Sequence, residues 1–261
     1  MRRFRPITLM TLLSLLTGCF SAALGTQPTS QPATPTTDGW EQIAIGLERR
    51  IYTPPQSGLG ALIVLRIDPS LYSFRAHYRP GAPLLLSDWA SMLPGAAAFI
   101  NANYFDPQFN ALGLVVADGV AYGRSYVNMG GLLQVQNGAV RVRSTILEPY
   151  MGEALEQAVQ AFPMLVTNGV ASFSNRQGDR VTRRTVAAQD AQGRILLMAT
   201  PLFGISLVDL ANYLPTTDLQ IINAVNLDGG GSTMMAIPAG AQPYTLPSFD
   251  AVPTVLAVYP R

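Results

Sequence analysis

The densest run of chemistry-bearing residues in the chain is Asn226-Leu227-Asp228-Gly229-Gly230-Gly231-Ser232-Thr233. A carboxylate is followed by three glycines and two hydroxyls. Glycines without Cβ let successive main-chain N–H groups converge on an anion, and they let a ligand approach the backbone closely. No Gly-Lys-Ser/Thr follows, so this is not a nucleotide P-loop. No Gly-x-Ser-x-Gly occurs here, so it is not a nucleophile elbow. On these residues alone the run reads equally as an anion site and as a glycine turn capped by Asp228.

Three further segments carry weaker signals. Phe99-Ile100-Asn101-Ala102-Asn103-Tyr104-Phe105-Asp106 ends a strand in amides and aromatics. Asn103 can bond sugar hydroxyls, and Tyr104 or Phe105 can stack on a pyranose; a plain strand end with a core aromatic fits the same letters. Arg183-Arg184-Thr185 precedes a strand. Arginine binds phosphate through a rigid fork, but a pair on a loop also suits a solvated face. Pro163-Met164-Leu165-Val166-Thr167-Asn168-Gly169-Val170 reads by itself as a hairpin. His77 is the single histidine, so a zinc site built on histidines cannot form. A structural role for it outweighs a catalytic one.

The elements that must position these residues are mostly strands. Asp118-Gly119 and Asn137-Gly138 sit between apolar runs, and such pairs supply the positive φ of tight hairpins. Hairpins are expected at both, around Asp68-Pro69-Ser70, and between 186–189 and 195–199. Helices are expected at 87–93, 148–161 and 206–214, the last capped by Ser206 with Asp209 three positions on. Strands interleaved with a few helices, without regular βαβ alternation, give an α+β fold: a mixed, mainly antiparallel β-sheet core with a few packed helices.

The N-terminus carries Arg2, Arg3 and Arg5, then an apolar run of about 10 residues, too short to span a bilayer and laid out as a secretory signal. It ends in Leu16-Thr17-Gly18-Cys19, which resembles the bacterial lipobox. The expected organisation is a signal peptide over 1–18, lipidation at Cys19, a polar tether over 19–39 and one domain over 40–261. Cys19 is the only cysteine, so no internal disulfide is possible. The tether is rich in Ser, Thr, Pro and Gln, and reaches about 25 Å as a random coil. Phe20 leans the expected address toward an outer membrane. Net charge is +1, with charged residues at 13% and hydrophobic ones at 48%, which fits a well-buried domain and gives no field to attract nucleic acid.

Taken in order, the four segments resemble the phosphodiester glycosidase family from about Asn101 to Pro260. Asn226 to Ser232 is the most specific element. Asn101 to Phe105, Pro163 with Asn168-Gly169, Arg184-Thr185, and the closing Val252-Pro253 with 256–258 support it. The resemblance implies cleavage between a sugar anomeric carbon and a phosphate oxygen. It implies Asp228 as base or nucleophile, with Arg184 and the N–H groups of Gly229, Gly230 and Gly231 holding phosphate and Ser232 donating. Asn103 and Asn168 would hold sugar hydroxyls, and Tyr104 and Thr185 complete the substrate-binding set. A phosphate monoester leaves readily, its second pKa being about 6, so one carboxylate with an anion site suffices. No cofactor is required; Asp228 with neighbouring amide oxygens could take a divalent cation, but no spacing demands one. Asp209 stands where the family tends to show a helix glutamate, and helix capping is the favoured role. The competing reading is a lipoprotein that binds phosphoglycan, or assists exopolysaccharide assembly, without turnover. Glycosyl phosphates of the cell envelope are the expected substrates; the sequence is silent on oligomeric state.

Overall fold

The computed structural model describes residues 39–55 and 60–261, all within one compact unit. The expected signal peptide, the Cys19 lipidation site and the tether up to residue 38 lie outside the described residues. Among those described, no helix is long and apolar enough to cross a membrane.

The architecture is three antiparallel sheets around one shared core, with one further two-stranded pair. The largest sheet has eight strands, in the order Glu41–Ala44, Leu47–Tyr52, Leu62–Ile67, Ile195–Ala199, Thr185–Asp190, Ile221–Asn226, Met164–Thr167 and Val170–Ala171. Side chains alternate across a strand, and here the alternation sorts residues between two cores. Ile63, Leu65, Ile67, Ile195, Leu197 and Val225 face the shared core. Leu62, Val64, Leu196, Met198 and Ala224 face the opposite layer, which the Leu207–Tyr213 helix covers. Burial on both faces explains why these strands read as unbroken apolar runs rather than as alternating ones.

A five-stranded sheet is built from Tyr244–Leu246, Met235–Ile237, Ala98–Asn101, Thr254–Pro260 and Tyr72–Tyr78. It sends Ile100, Met235, Leu256 and Val258 into the shared core and packs Phe99, Val255 and Ala257 against Trp89 of the Leu86–Met92 helix. The third sheet, also five-stranded, centres on Gln157–Ala161, with Gly131–Gln136 beside it.

The strand hairpins at Asp118-Gly119 and Asn137-Gly138 form as expected, with positive φ at all four residues. The fold is nevertheless largely β rather than a balanced α+β: the two α-helices found among the described residues have seven residues each. The helix expected over 148–161 is absent. Pro149 cannot donate to a helix, Gly152 adopts φ 91, and Gln157–Ala161 is instead a fully buried strand paired with Gly131–Gln136. Its glutamines, polar enough to suggest a helix surface, spend their amides inside: Gln157 Oε1 accepts from Ala76 N, and Gln160 Oε1 from Leu114 N and Tyr126 N.

The hairpin expected around Asp68-Pro69-Ser70 is also corrected. Leu62–Ile67 pairs with Leu47–Tyr52 and Ile195–Ala199, whereas Tyr72–Tyr78 pairs with Thr254–Pro260 in another sheet. Asp68 Oδ1 accepts the Ser70 N–H and hydroxyl, closing a corner between sheets rather than a hairpin.

Candidate active site

The Ile221–Asn226 strand, sixth of the eight in the largest sheet and buried from Ala224 onward, sets the site. Past its end, Leu227 N–H still bonds Thr185 O, but Asp228 N–H crosses to Ala102 O in the neighbouring sheet. Asp228 thus stands at the seam between two sheets. Burial pushes its carboxyl up to about 6, against the pull of hydrogen bonds from Ser232 and Gly229, and the Asp250 carboxylate adds to the rise. Such a group sits near the pH at which general acid–base chemistry is most effective.

The glycines do not form the open phosphate nest expected of them. Gly229 N–H donates to the Asp228 carboxylate at 2.8 Å, and Gly230 N–H donates to Arg183 O at 2.8 Å. The anion these donors serve is the protein's own, or a carbonyl. Gly231 N–H alone of the three makes no hydrogen bond among the described residues. Two of the glycines are required for space. A Cβ on Gly229 would lie 2.8 Å from Arg183 O, and one on Gly231 would overlap the Asp250 carboxylate.

The two arginines divide their work. Arg183 Nη2 donates to Thr233 O (2.6 Å) and Pro247 O (2.9 Å), with Phe249 stacked over the guanidinium. It is a structural clamp. Arg184 is buried and fixed by Nε to Ile205 O and by Nη2 to Asp179 Oδ1 and Arg180 O. Its other terminal nitrogen makes no hydrogen bond among the described residues. Asp179 fixes two things at once. Its carboxylate takes Arg184 and also the Leu207 and Val208 N–H groups, the first two of the Leu207–Tyr213 helix. Ser206 caps the same helix through Asp209 N–H, and the Asp209 carboxylate takes the Ser206 hydroxyl and Arg176. The geometry gives Asp209 a capping role.

Tyr104 feels both charged groups. Burial raises its phenol pKa, with Asp228 adding to the rise and Arg184 opposing it. Its hydroxyl donates to Phe162 O and accepts from Asn226 Nδ2 at 2.7 Å, so the ring is fixed with its polar end already engaged.

Three expected substrate contacts are not available. Both Asn103 amide hydrogens are spent on Leu114 O and Gln160 O, and the residue is buried. Thr185 is fully buried, with its hydroxyl donated to Asn101 Oδ1 at 2.8 Å. Asn168 is the first residue of a hairpin turn at the opposite end of the Ile221–Asn226 strand, where its N–H meets Asn223. It is not brought to Asp228. His77 sits in the Tyr72–Tyr78 strand with Nε2 3.0 Å from the Tyr259 hydroxyl, its pKa lowered by burial. No group of three or more His, Cys, Asp or Glu arranged for a metal ion occurs among the described residues.

Three residues of the site have no role assigned from the sequence, although Asn101 lies in a segment singled out there. Asn101 is its hub: Nδ2 donates to Asp228 O at 2.6 Å, and Oδ1 accepts from Thr185 and from Met234 N–H. Its signal was present, since an asparagine closing an apolar strand has to place an amide somewhere. Asp179 lies in a polar loop and Asp250 beside an exposed phenylalanine; neither has a local pattern that could have found it.

A model of the family described as phosphodiester glycosidase matches residues 94–259. Among curated proteins no match is found. Among solved structures, the catalytic domain of zebrafish N-acetylglucosamine-1-phosphodiester alpha-N-acetylglucosaminidase, auto-inhibited by its pro-peptide, is 19% identical, with TM-score 0.64 over 89% of this chain and 88% of that one. A hypothetical protein from Synechocystis is 18% identical, with TM-score 0.57 over 82% of this chain and 62% of the other. A Burkholderia pseudomallei protein described as exported gives 15% identity and TM-score 0.56 over 77% and 74%. At these identities the likeness is one of fold, while the family match spans most of the chain: it belongs to the phosphodiester glycosidase family.

Proposed function

We propose that the protein is an exported, lipid-anchored hydrolase that cleaves the glycosyl–phosphate bond of a sugar-1-phosphate diester. The observation that carries this reading is a half-buried carboxylate, Asp228, at the glycine loop, and a fixed guanidinium, Arg184, one residue before the strand that pairs with Ile221–Asn226, both close enough to act on the Tyr104 phenol. Asp228 acts at the anomeric carbon as base or nucleophile. Arg184 presents its unbonded nitrogen, and Gly231 its N–H, to the phosphate that departs. A phosphate monoester needs charge stabilisation more than a proton, and a guanidinium fixed in advance supplies that without reorganisation. The Tyr104 ring offers an apolar face to the sugar. The lipobox at Cys19 and the signal before it support an address at the cell envelope, and the zebrafish enzyme's name supports glycosyl phosphodiesters as the substrate class.

The test is incubation of the protein with a panel of sugar-1-phosphate diesters, reading free reducing sugar. Release is expected from at least one diester, and Asp228→Asn should reduce it about a thousand-fold, the scale of a lost acid–base group, with the fold intact. Unchanged turnover in Asp228→Asn would overturn the mechanism. Release from none would leave a phosphoglycan-binding member of the family.

A further inference from the structure

Beside the Asp228 loop lies a cleft of about 310 Å3 whose floor includes Gly230 and Gly231. Its rim is apolar and open to solvent: Val181 is 64% exposed, Leu202 58%, Phe203 65% and Phe249 70%. Isolated exposed apolar side chains are ordinary, but a contiguous group at a cleft marks a binding surface. The exposure belongs to fixed backbone. Phe203 holds φ 60, a left-handed conformation unfavourable for a residue bearing a Cβ. It is followed by Gly204 at φ 53, packed on the Thr182 carbonyl, and by Ile205 N–H bonded to Thr182 O at 3.0 Å. Phe249 donates its N–H to Gly231 O at 2.7 Å and lies on the Arg183 guanidinium.

The charge pattern narrows the occupant. Arg183 is the cation of the cleft, and its guanidinium is turned to the Thr233 and Pro247 carbonyls beneath the Phe249 ring. The Asp250 carboxylate, packed on Gly231, adds negative charge at the edge. A polyanionic chain would meet a single guanidinium, already committed through Nη2 to two carbonyls, beside the Asp250 carboxylate. A neutral apolar chain meets two phenylalanines, a leucine and a valine.

We propose that this cleft takes the lipid half of the substrate, a glycosyl monophosphate esterified to a long-chain lipid alcohol. The inference rests on the proposed function and adds the class of the aglycone. The sugar lies at Asp228, the phosphate at the Gly231 N–H and Arg184, and the chain runs out over Phe203 and Phe249. Hydrolysis breaks the bond between C1 and the phosphate oxygen. The electron pair leaves with the phosphate, the oxygen of water ends on the sugar, and its proton is released, giving free sugar and a lipid phosphate monoester. A tether from Cys19 would hold the domain at the surface where such lipids reside.

The experiment compares two probes on the full-length protein, N-acetylglucosamine-1-phosphate esterified to farnesol and to methanol, both below the micellar concentration. The farnesyl ester should exceed the methyl ester in kcat/KM by about ten-fold or more, the scale that a few buried methylenes contribute. Phe203→Ser and Leu202→Ser should each pull that ratio toward one. Binding of farnesyl phosphate and methyl phosphate is measured in parallel and needs no turnover. Equal kcat/KM for the two esters overturns the lipid assignment and leaves the hydrolase standing. Turnover of neither, with farnesyl phosphate still bound more tightly in a manner dependent on Phe203, sustains the cleft and leaves the hydrolase to be decided by the panel of other sugars. Equal binding of the two phosphates without turnover overturns the cleft. A dimer abolished by Phe203→Ser also overturns it, because the rim would then be an interface between copies.

Discussion

The two ends of the Ile221–Asn226 strand both meet glycines, for different physical reasons. At one end, Asn168-Gly169 turns a hairpin with φ of 51 and 80, and the nearest atom to a Cβ on Gly169 is 3.8 Å away. Glycine is there for its backbone conformation. At the other end Gly229 has φ −132, open to any residue, and its bare Cα is needed because Arg183 O stands 2.8 Å from where a Cβ would be. The hairpin turn is exposed, and the buried carboxylate at that end, Asp190 beside Ile221, is ion-paired with Arg194. The seam end holds Asp228 half-buried, desolvated against its own preference. A glycine motif is therefore uninformative until it is known whether angle or space is at stake, and space is what brings a carboxylate and two arginines' backbones together.

The widest separation between the two ends is expected at Asp228. Beyond the loss of turnover, Asp228→Asn should stabilise the protein near neutrality. The folded state holds this proton more tightly than the unfolded chain does, since its pKa rises from 3.8 to about 6. The group is therefore without penalty below about pH 4, and stability is lost as pH rises through 6. Two units correspond to at most about 3 kcal/mol. Denaturant titrations at pH 4 and pH 8 should show the asparagine variant gaining stability only at the higher pH. In the wild type, turnover should rise along a limb with a midpoint near 6 as Asp228 ionises. A pH-independent gain would mean that Asp228 is not the desolvated anion described here.

Gly229→Ala tests space against angle. The methyl must push the loop away from Arg183 O, straining the Gly230 N–H bond to the same carbonyl. Overpacking of this kind costs about 2 kcal/mol, and a shift near 1 Å at a reacting group costs about a hundred-fold in rate. Gly169→Ala should cost about 1 kcal/mol through its positive φ and leave turnover as it was. Thermal melts with steady-state rates separate the cases. If both variants lose activity alike, the distinction between the ends fails.

Asp179→Asn sharpens the picture of the seam. It removes the charge that takes Arg184 and caps the Leu207–Tyr213 helix, though its carbonyl can still accept. A stability loss of about 2 kcal/mol is expected, as for a weakened charged hydrogen bond. If Arg184 holds the phosphate, kcat/KM should fall about ten-fold with the pH midpoint unmoved, since Asp179 is not among the groups acting on Asp228. A moved midpoint would connect Asp179 to the carboxylate itself.

What the sequence made legible follows from how local each signal is. Asp118-Gly119 and Asn137-Gly138 reveal hairpins because the turn residues themselves carry the angle. Ser206 with Asp209 reveals a helix start because capping acts over three residues. Gln157–Ala161 misleads because its glutamines look solvated, and only the partners Ala76, Leu114 and Tyr126, far off in the chain, make a buried strand tolerable. Asp228 is legible through its glycines. Asn103 and Thr185 look like ligand contacts because they neighbour the right residues, yet the Asn103 amide hydrogens and the Thr185 hydroxyl are consumed by Leu114, Gln160 and Asn101, and both side chains are buried. Asp179 and Asp250 are invisible because their roles exist only once separate loops have met.

The smallest expected effect lies at the hairpin end, and it bears on substrate binding. Asn168 keeps φ 51 and is exposed, with its N–H on Asn223 Oδ1 at 3.3 Å. Asparagine tolerates this conformation better than alanine does, so Asn168→Ala should cost about 1 kcal/mol. The Thr167–Val170 pair would hold the turn together, and five strand residues separate this end from Asp228, a distance of about 17 Å along the strand. A monosaccharide at Asp228 does not span that distance, so KM for a methyl ester should change by no more than about two-fold, within the scatter of a distant surface substitution. A rise in KM well beyond that, with kcat unchanged, would mean that the substrate extends along the sheet to the hairpin as an oligosaccharide, and the two ends would then belong to one binding surface.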